Sequence, residues 1–233
     1  MKTTSKIKPD KSKTILATPP LAPLLDRLFK EADETSPMRS SALASLPEEE
    51  RERLMQSKTE YLDLYGRLKD YPLPVSRETG RLLYMLARGC HARTIVEFGA
   101  SFGISTLHLA AALRDNGGGR LITTEFEPSK VARARKNLAD GGLIDLVEIR
   151  EGDAIRTLAV DLPETIDLLL LDGAKSLYPE ILGLVESRFR HGAFVVADNA
   201  DFSPEYLARV RSVTSGYMSV PFADDVELSM WVG

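Results

Sequence analysis

Ile95-Val-Glu-Phe-Gly-Ala-Ser-Phe-Gly-Ile-Ser105, written IVEFGASFGIS, decides how the rest of the chain is read. Two readings compete. Gly99-Ala-Ser-Phe-Gly103 fits G-x-S-x-G, the sharp strand-to-helix turn that presents a reactive serine in α/β-hydrolases. The same residues fit a glycine loop between a strand and a helix, where the backbone cradles a nucleotide-like ligand. The first reading needs a late histidine and an oxyanion loop from an earlier strand. No strand is expected before Thr94. The downstream histidines are His108, inside the next helix, and His191, before Gly192 at an expected helix end, where capping is the plain explanation. Ser101 without a base cannot act as a nucleophile. The cradle is favoured; a serine hydrolase and a non-catalytic nucleotide-binding module stay as alternatives.

Outward from this loop, short apolar runs alternate with amphipathic stretches. Strands are predicted at TIVEFG (94–99), RLITTEF (120–126), VEIREGD (147–153), IDLLLLDG (166–173) and AFVVADN (193–199). Helices fall between them at ISTLHLAAALRD, PSKVARARKNLAD, AIRTLAVD and YPEILGLVESRF. Continuous Val/Ile/Leu runs with helical crossovers are what buried parallel strands require. After a helix at SPEYLARVRS, the closely linked strands GYMSVPF and VELSMWV should pair antiparallel. The fold class is therefore α/β: a seven-strand Rossmann-like sheet, mostly parallel with an antiparallel C-terminal strand, helices on both faces and an N-terminal helical cap.

That cap spans residues 21–90, ahead of a domain at 91–233. LLDRLFKEA repeats apolar residues at helical spacing, and Pro47-Glu-Glu-Glu opens a charged helix running toward Tyr65. Tyr71-Pro-Leu-Pro breaks it, Ser76 caps RETGRLLYMLARG, and Gly89 is the expected stop. Residues 1–20 begin with five lysines in thirteen residues and no apolar run of signal-peptide length; they read as a solvated tail. Net charge of −4 supplies no global field for nucleic acid or acidic membranes, and no run is long enough to span a membrane. Cys90 alone allows neither an internal disulfide nor a multi-cysteine zinc site, which fits a cytoplasmic setting.

Each predicted strand ends on something polar: Glu97, Glu125, Asp153, Asp172, then Asp198-Asn199. In an open parallel sheet those ends share one edge, where ligands bind. Glu125 holds the position of a carboxylate that accepts ribose hydroxyls. The loop is not G-x-G-x-x-G, and an acid precedes its first glycine. A pyrophosphate wants a helix N-terminus free of negative charge. Glu97 suits instead a ligand with a cationic or amine end, such as the aminocarboxypropyl chain of S-adenosylmethionine.

These residues resemble the cation-dependent O-methyltransferases, a family that includes catechol and caffeoyl-CoA O-methyltransferases, over roughly residues 70–233. VEFGASFGIS is similar to that family's E-x-G-x-x-x-G-x-S loop, LITTEFEP to its second strand, LLLLDGAKSLY to its L-D-x-x-K-x-x-Y segment, and VVADN to its A-D-N. The resemblance implies that 91–233 is an S-adenosylmethionine-dependent methyltransferase domain. It assigns Glu97, Gly99, Ser101, Ser105, Glu125 and Asp153 to the methyl donor, Ser105 at its carboxylate. Val75, Phe126, Ala154 and Asp172 join them. Asp172, Asp198 and Asn199 become metal ligands, Lys175 the catalytic lysine, and Glu227 an acceptor of a substrate hydroxyl.

The chemistry is coherent. Three oxygen ligands without histidine or cysteine suit a hard ion, Mg²⁺ or another divalent cation such as Mn²⁺ or Ca²⁺. A vicinal dihydroxy aromatic chelating that ion is acidified. Lys175, three residues past a ligand, can take the phenolic proton, and beside a divalent cation and a sulfonium its pKa should fall. Where the catechol enzyme packs adenine with bulky residues this chain has Gly173 and Ala174, leaving Phe126 to supply the packing. The expected partner is a small aromatic acceptor. A hydroxylated tRNA base is the rival, against which net acidity and the lack of a basic-aromatic patch argue. The N-terminal helices either close over the acceptor or form a homodimer face.

Overall fold

The computed structural model describes residues 14–35, 46–223 and 225–233. β1 (Thr94–Phe98), β2 (Arg120–Glu125), β3 (Val147–Glu151), β4 (Ile166–Leu171) and β5 (Phe189–Ala197) run parallel. β6 (Tyr217–Phe222) and β7 (Val226–Trp231) pair antiparallel, and β7 also pairs antiparallel with β5. The order across the sheet is β3-β2-β1-β4-β5-β7-β6. Every residue of β4 is buried, as a central strand covered on both faces must be.

Helices cover both faces. The N-terminal ones are α1 (Leu21–Glu34), α2 (Glu48–Gln56), α3 (Tyr61–Arg67) and α4 (Arg77–Gly89). Between and after the strands follow α5 (Ile104–Asp115), α6 (Pro128–Asp140), α7 (Ala154–Thr157), α8 (Tyr178–Val185) and α9 (Pro204–Val210). Ile181, Leu182 and Val185 of α8 and Tyr206 of α9 pack against Leu169, Leu171 and Val195 on one face. On the other, Leu83 and Ala87 of α4 and Leu109 and Leu113 of α5 meet Ile95, Leu121 and Leu168. Leu24, Leu25 and Leu28 of α1 close over Leu107, Val131 and Leu138. No helix among the described residues is long and apolar enough to cross a membrane.

Several local expectations need correction. The helix expected from Pro47 toward Tyr65 is two helices, because Ser57 ends the first and its hydroxyl accepts the Glu60 N–H at 3.0 Å. Gly89 is still helical; the left-handed turn beyond it falls on His91, at φ 52°. AIRTLAVD makes a single turn capped by Asp153. β5 begins at Phe189, opposite Ile166 and ahead of an irregular register, so His191 lies in a strand and caps no helix. Residues 1–13 of the expected tail lie outside the described residues. From Thr14 the chain is docked: its hydroxyl donates to Asp115 at 2.8 Å, and Ile15 and Leu16 pack on the α1–α5 core.

Candidate active site

Parallel register builds one rim. Phe98 lies opposite Thr124 and Leu171, and Leu171 opposite Ala197. The residues that follow, Gly99, Glu125, Asp172 and Asp198, emerge together at the carboxyl edge, astride the β1–β4 switch point. Gly99 has φ +100°, and a Cβ there would sit 2.6 Å from the Asp172 carbonyl oxygen, so only glycine lets loop and strand end approach this closely.

Ser101, at φ 46°, works as a fastener. Its N–H donates to Glu125 Oε2 at 2.9 Å, and its hydroxyl accepts from the Leu73 N–H at 3.2 Å. The Glu127 N–H donates to Glu125 Oε1 at 3.0 Å. Neither histidine can serve Ser101. The His108 ring nitrogen meets the Ile104 carbonyl at 2.8 Å inside the core, and His191 lies near the amino end of β5, at the opposite edge. The geometry leaves the hydrolase reading without the histidine that its triad requires.

Two chambers open on the rim. Gly99, Ser101, Glu125, Phe126, Asp153 and Ala154 line the narrower one. Lys175, Asp198 and Asn199 line the wider one, which α2 borders with Arg51 and Met55. Tyr65, Leu73 and Asp172 line both. Asp153 caps α7 and accepts the Tyr61 hydroxyl at 2.9 Å. Glu97 lies fully buried beneath the loop, where Thr106 donates to Oε2 at 2.6 Å and Oε1 has no partner. Burial pushes this carboxyl up, against the pull of the Ser105, Thr106 and Thr123 hydroxyls. Such an orphaned buried oxygen fits a ligand that brings an amine or a cation. Ser105 lines an adjoining recess with Pro72 and Pro74.

Three assigned residues fall elsewhere, Glu97 among them, since it is sealed beneath the loop and lines no chamber. Val75 points its side chain into the core with Leu83 and Ile95; its neighbours Leu73 and Pro74 reach the chambers instead. Glu227 lines neither chamber. Arg211 Nε and Nη2 donate to its two carboxylate oxygens at 2.9 and 2.6 Å, and Ser219 donates to Oε1, so its charge is already paired. The ion pair, buried on its Glu227 side and half-exposed at Arg211, links α9's end to β7.

Asp172, Lys175, Asp198 and Asn199 converge. Lys175 Nζ donates to Asp172 Oδ1 at 3.1 Å and lies 5.4 Å from the Tyr178 ring centroid. Burial raises Asp172 to about 6 despite Lys175, and burial with the Asp172 charge raises Asp198 to about 8. Burial works against the Lys175 charge, yet Tyr178, Asp172 and Asp198 hold the ammonium above its usual value. That is the reverse of the direction expected beside a bound cation and sulfonium. Asn199, at φ 49°, donates Nδ2 to Asp225 at 2.9 Å, and among the described residues its amide oxygen has no partner. Among the described residues no three His, Cys, Asp or Glu side chains cluster for a metal; the oxygen set is two aspartates and an asparagine amide.

Sequence reasoning missed Tyr61, Tyr65, Phe98 and Lys130 as lining residues. Tyr61 and Tyr65 stand four apart on α3, one helical face, and Lys130 interrupts the apolar stripe of α6. Phe98 explains Gly173: a Cβ at 173 would lie 2.4 Å from the Phe98 ring, which fills that space.

A family described as a methyltransferase domain matches residues 96–200. Catechol O-methyltransferase from Niastella koreensis is 38% identical over 130 residues, 54% of this chain and 58% of that protein. Catechol O-methyltransferase B from Danio rerio is 32% identical over 180 residues, 74% of this chain and 67% of that protein. The chain belongs to the catechol O-methyltransferase family. Its motif matches, E-x-G-x-x-x-G-x-S through A-D-N, fall within the segment that the domain family covers or at its edge. Among solved structures, the O-methyltransferase TomG from Streptomyces achromogenes, in complex with SAM, superposes with a TM-score of 0.62 at 29% identity. That alignment covers 81% of this chain and 100% of TomG. The chain spans under two thirds of the length of the Niastella relative.

Proposed function

We propose that this protein transfers a methyl group from S-adenosylmethionine to a hydroxyl of a small aromatic bearing adjacent hydroxyls. The observation that carries the reading is Asp172 standing in the wall between two chambers with Lys175 3.1 Å away. The narrower chamber suits the donor. Glu125 keeps lone pairs for ribose hydroxyls, and Phe98 and Phe126 offer faces for a base; Glu97 lies behind the loop, outside the chamber's lining.

The wider chamber suits the acceptor. Burial and the Asp172 charge raise Asp198, so the two carboxylates lie near one another, and a divalent cation held between them would offset that repulsion. Asp172, Asp198 and the Asn199 amide oxygen would hold Mg²⁺, Mn²⁺ or Ca²⁺. A bound ion of this kind lowers the pKa of a coordinated hydroxyl. With a cation's charge set against Asp172 and Asp198, which hold the Lys175 ammonium in this structure, a neutral Lys175 amine would accept the acceptor's proton. The oxygen so freed would take the methyl group in line as the donor's carbon–sulfur bond breaks and S-adenosylhomocysteine leaves. Holding the two reactants in separate chambers that meet at one side chain contributes orientation, an effect that can reach ~7–11 kcal/mol. α2 and α3 line the chambers, which supports a cap that closes over the acceptor.

The test is a methyl-transfer screen of dihydroxy aromatics with S-adenosylmethionine, run with Mg²⁺ and with chelator. Cation-dependent methylation of a vicinal diol is expected; transfer undiminished by chelator would remove the cation from the reading.

A further inference from the structure

Lys130 is a buried cation that the family motifs leave out: LITTEFEP stops two residues short of it. α6 turns Lys130, Val131, Ala134 and Leu138 toward the protein, and Lys130 is only 3% exposed. Its Nζ lies 5.9 Å from the centre of the Phe102 ring and, among the described residues, makes one hydrogen bond, to Ser101 Oγ at 3.5 Å. Glu125 and Glu127 attract it from nearby, but among the described residues no carboxylate pairs with it. Burial accordingly pulls the ammonium below its usual value. A buried ammonium without a partner is costly, and this one faces the donor chamber.

The charges of the donor select its partner. S-adenosylmethionine carries a sulfonium and an α-ammonium, which Lys130 repels, and one anionic group, the α-carboxylate. The recess at the start of α5, with Ser105, shares Ser101 and Leu73 with the donor chamber. A carboxylate lying there would meet the Ser101 hydroxyl and the ammonium behind it. We propose that Lys130 is a donor-positioning residue that pairs with the α-carboxylate of S-adenosylmethionine, an inference that rests on the methyl-transfer reading. Charge-assisted hydrogen bonds of this kind are about twice as strong as neutral ones.

The test is a binding cycle read by titration calorimetry, independent of turnover. S-adenosylhomocysteine and its decarboxylated analogue, S-adenosyl-3-thiopropylamine, are titrated into the wild type, Lys130→Met, Lys130→Gln and Lys130→Arg. Removing the charge should weaken S-adenosylhomocysteine by about tenfold and leave the decarboxylated analogue nearly unchanged, while Lys130→Arg stays close to wild type. Lys130→Gln repeats the comparison should Lys130→Met fail to fold, and binding of the analogue reports an intact chamber. Equal loss for both nucleosides, or loss for neither, overturns the inference alone. A wild type that binds neither nucleoside overturns the methyl-donor reading and the inference with it.

Discussion

Asp172 and Lys175, three residues apart at the end of β4, form an ion pair at 3.1 Å with their side chains only 9% and 8% exposed. The pair stands where the two chambers meet, so the proposed base and the shared wall are one unit. Lys175→Met should reduce turnover of a dihydroxy aromatic by about 10²–10⁴-fold, the range for losing a general base. Affinity for S-adenosylhomocysteine should hold, because Lys175 does not line the donor chamber. Single-turnover transfer of a labelled methyl group checks it, and unchanged turnover would rule out Lys175 as the base.

Cation binding should depend on pH with a definite sign. Asp172 and Asp198 are raised to about 6 and about 8, so both tend to hold protons below those values. A cation must displace those protons. Its affinity should therefore fall as pH drops from about 8 toward about 6, with protons released on binding. Calorimetry in buffers of differing ionisation enthalpy measures that release; a flat affinity across the window would contradict it.

His108 gives stability its own pH dependence. Burial between α5 and Phe29 pulls the imidazole below its ordinary 6.5, and the Ile104 carbonyl only partly offsets this. The unfolded chain then binds the extra proton. The contribution is complete above the unfolded value and drains away as pH falls through the lower folded one. His108→Gln should narrow the gap between urea midpoints at about pH 7.5 and about pH 5.5, relative to wild type. An identical gap in both proteins would show that His108 is not the source.

Glu227 should prove structural. Its carboxylate is 1% exposed and held by Arg211 and Ser219. Glu227→Gln should lower stability by about 1–3 kcal/mol through partners left unsatisfied. Turnover per folded molecule should match wild type, and a selective rise in acceptor KM would instead return Glu227 to the acceptor site.

Strands and their polar ends were legible because a buried parallel sheet leaves long apolar runs that stop where the chain reaches the edge. Glu97, Glu125, Asp172 and Asp198 all follow that rule. The start of β5 was not legible, because Phe189-Arg-His-Gly192 reads as a helix end; its pairing depends on Ile166, far away in sequence. Glu227 shows the other limit. Its place at the start of β7 fits a motif position, and only the tertiary pairing with Arg211 shows that its charge is already satisfied. Phe98 and Tyr65 were hidden for a related reason: both look like ordinary core aromatics until the rim is assembled around them.

The shared wall has a thermodynamic consequence. Asp172 lines the narrower and the wider chamber alike, so a donor in one and a cation in the other would draw on one carboxylate. Whatever factor the donor imposes on cation affinity, the cation must impose on donor affinity, because the cycle closes. Cooperativity between the two sites is therefore expected without any subunit contact or domain movement. It should vanish in Asp172→Asn while each site still binds its own ligand. Donor titrations with and without Mg²⁺, in both proteins, measure that coupling directly.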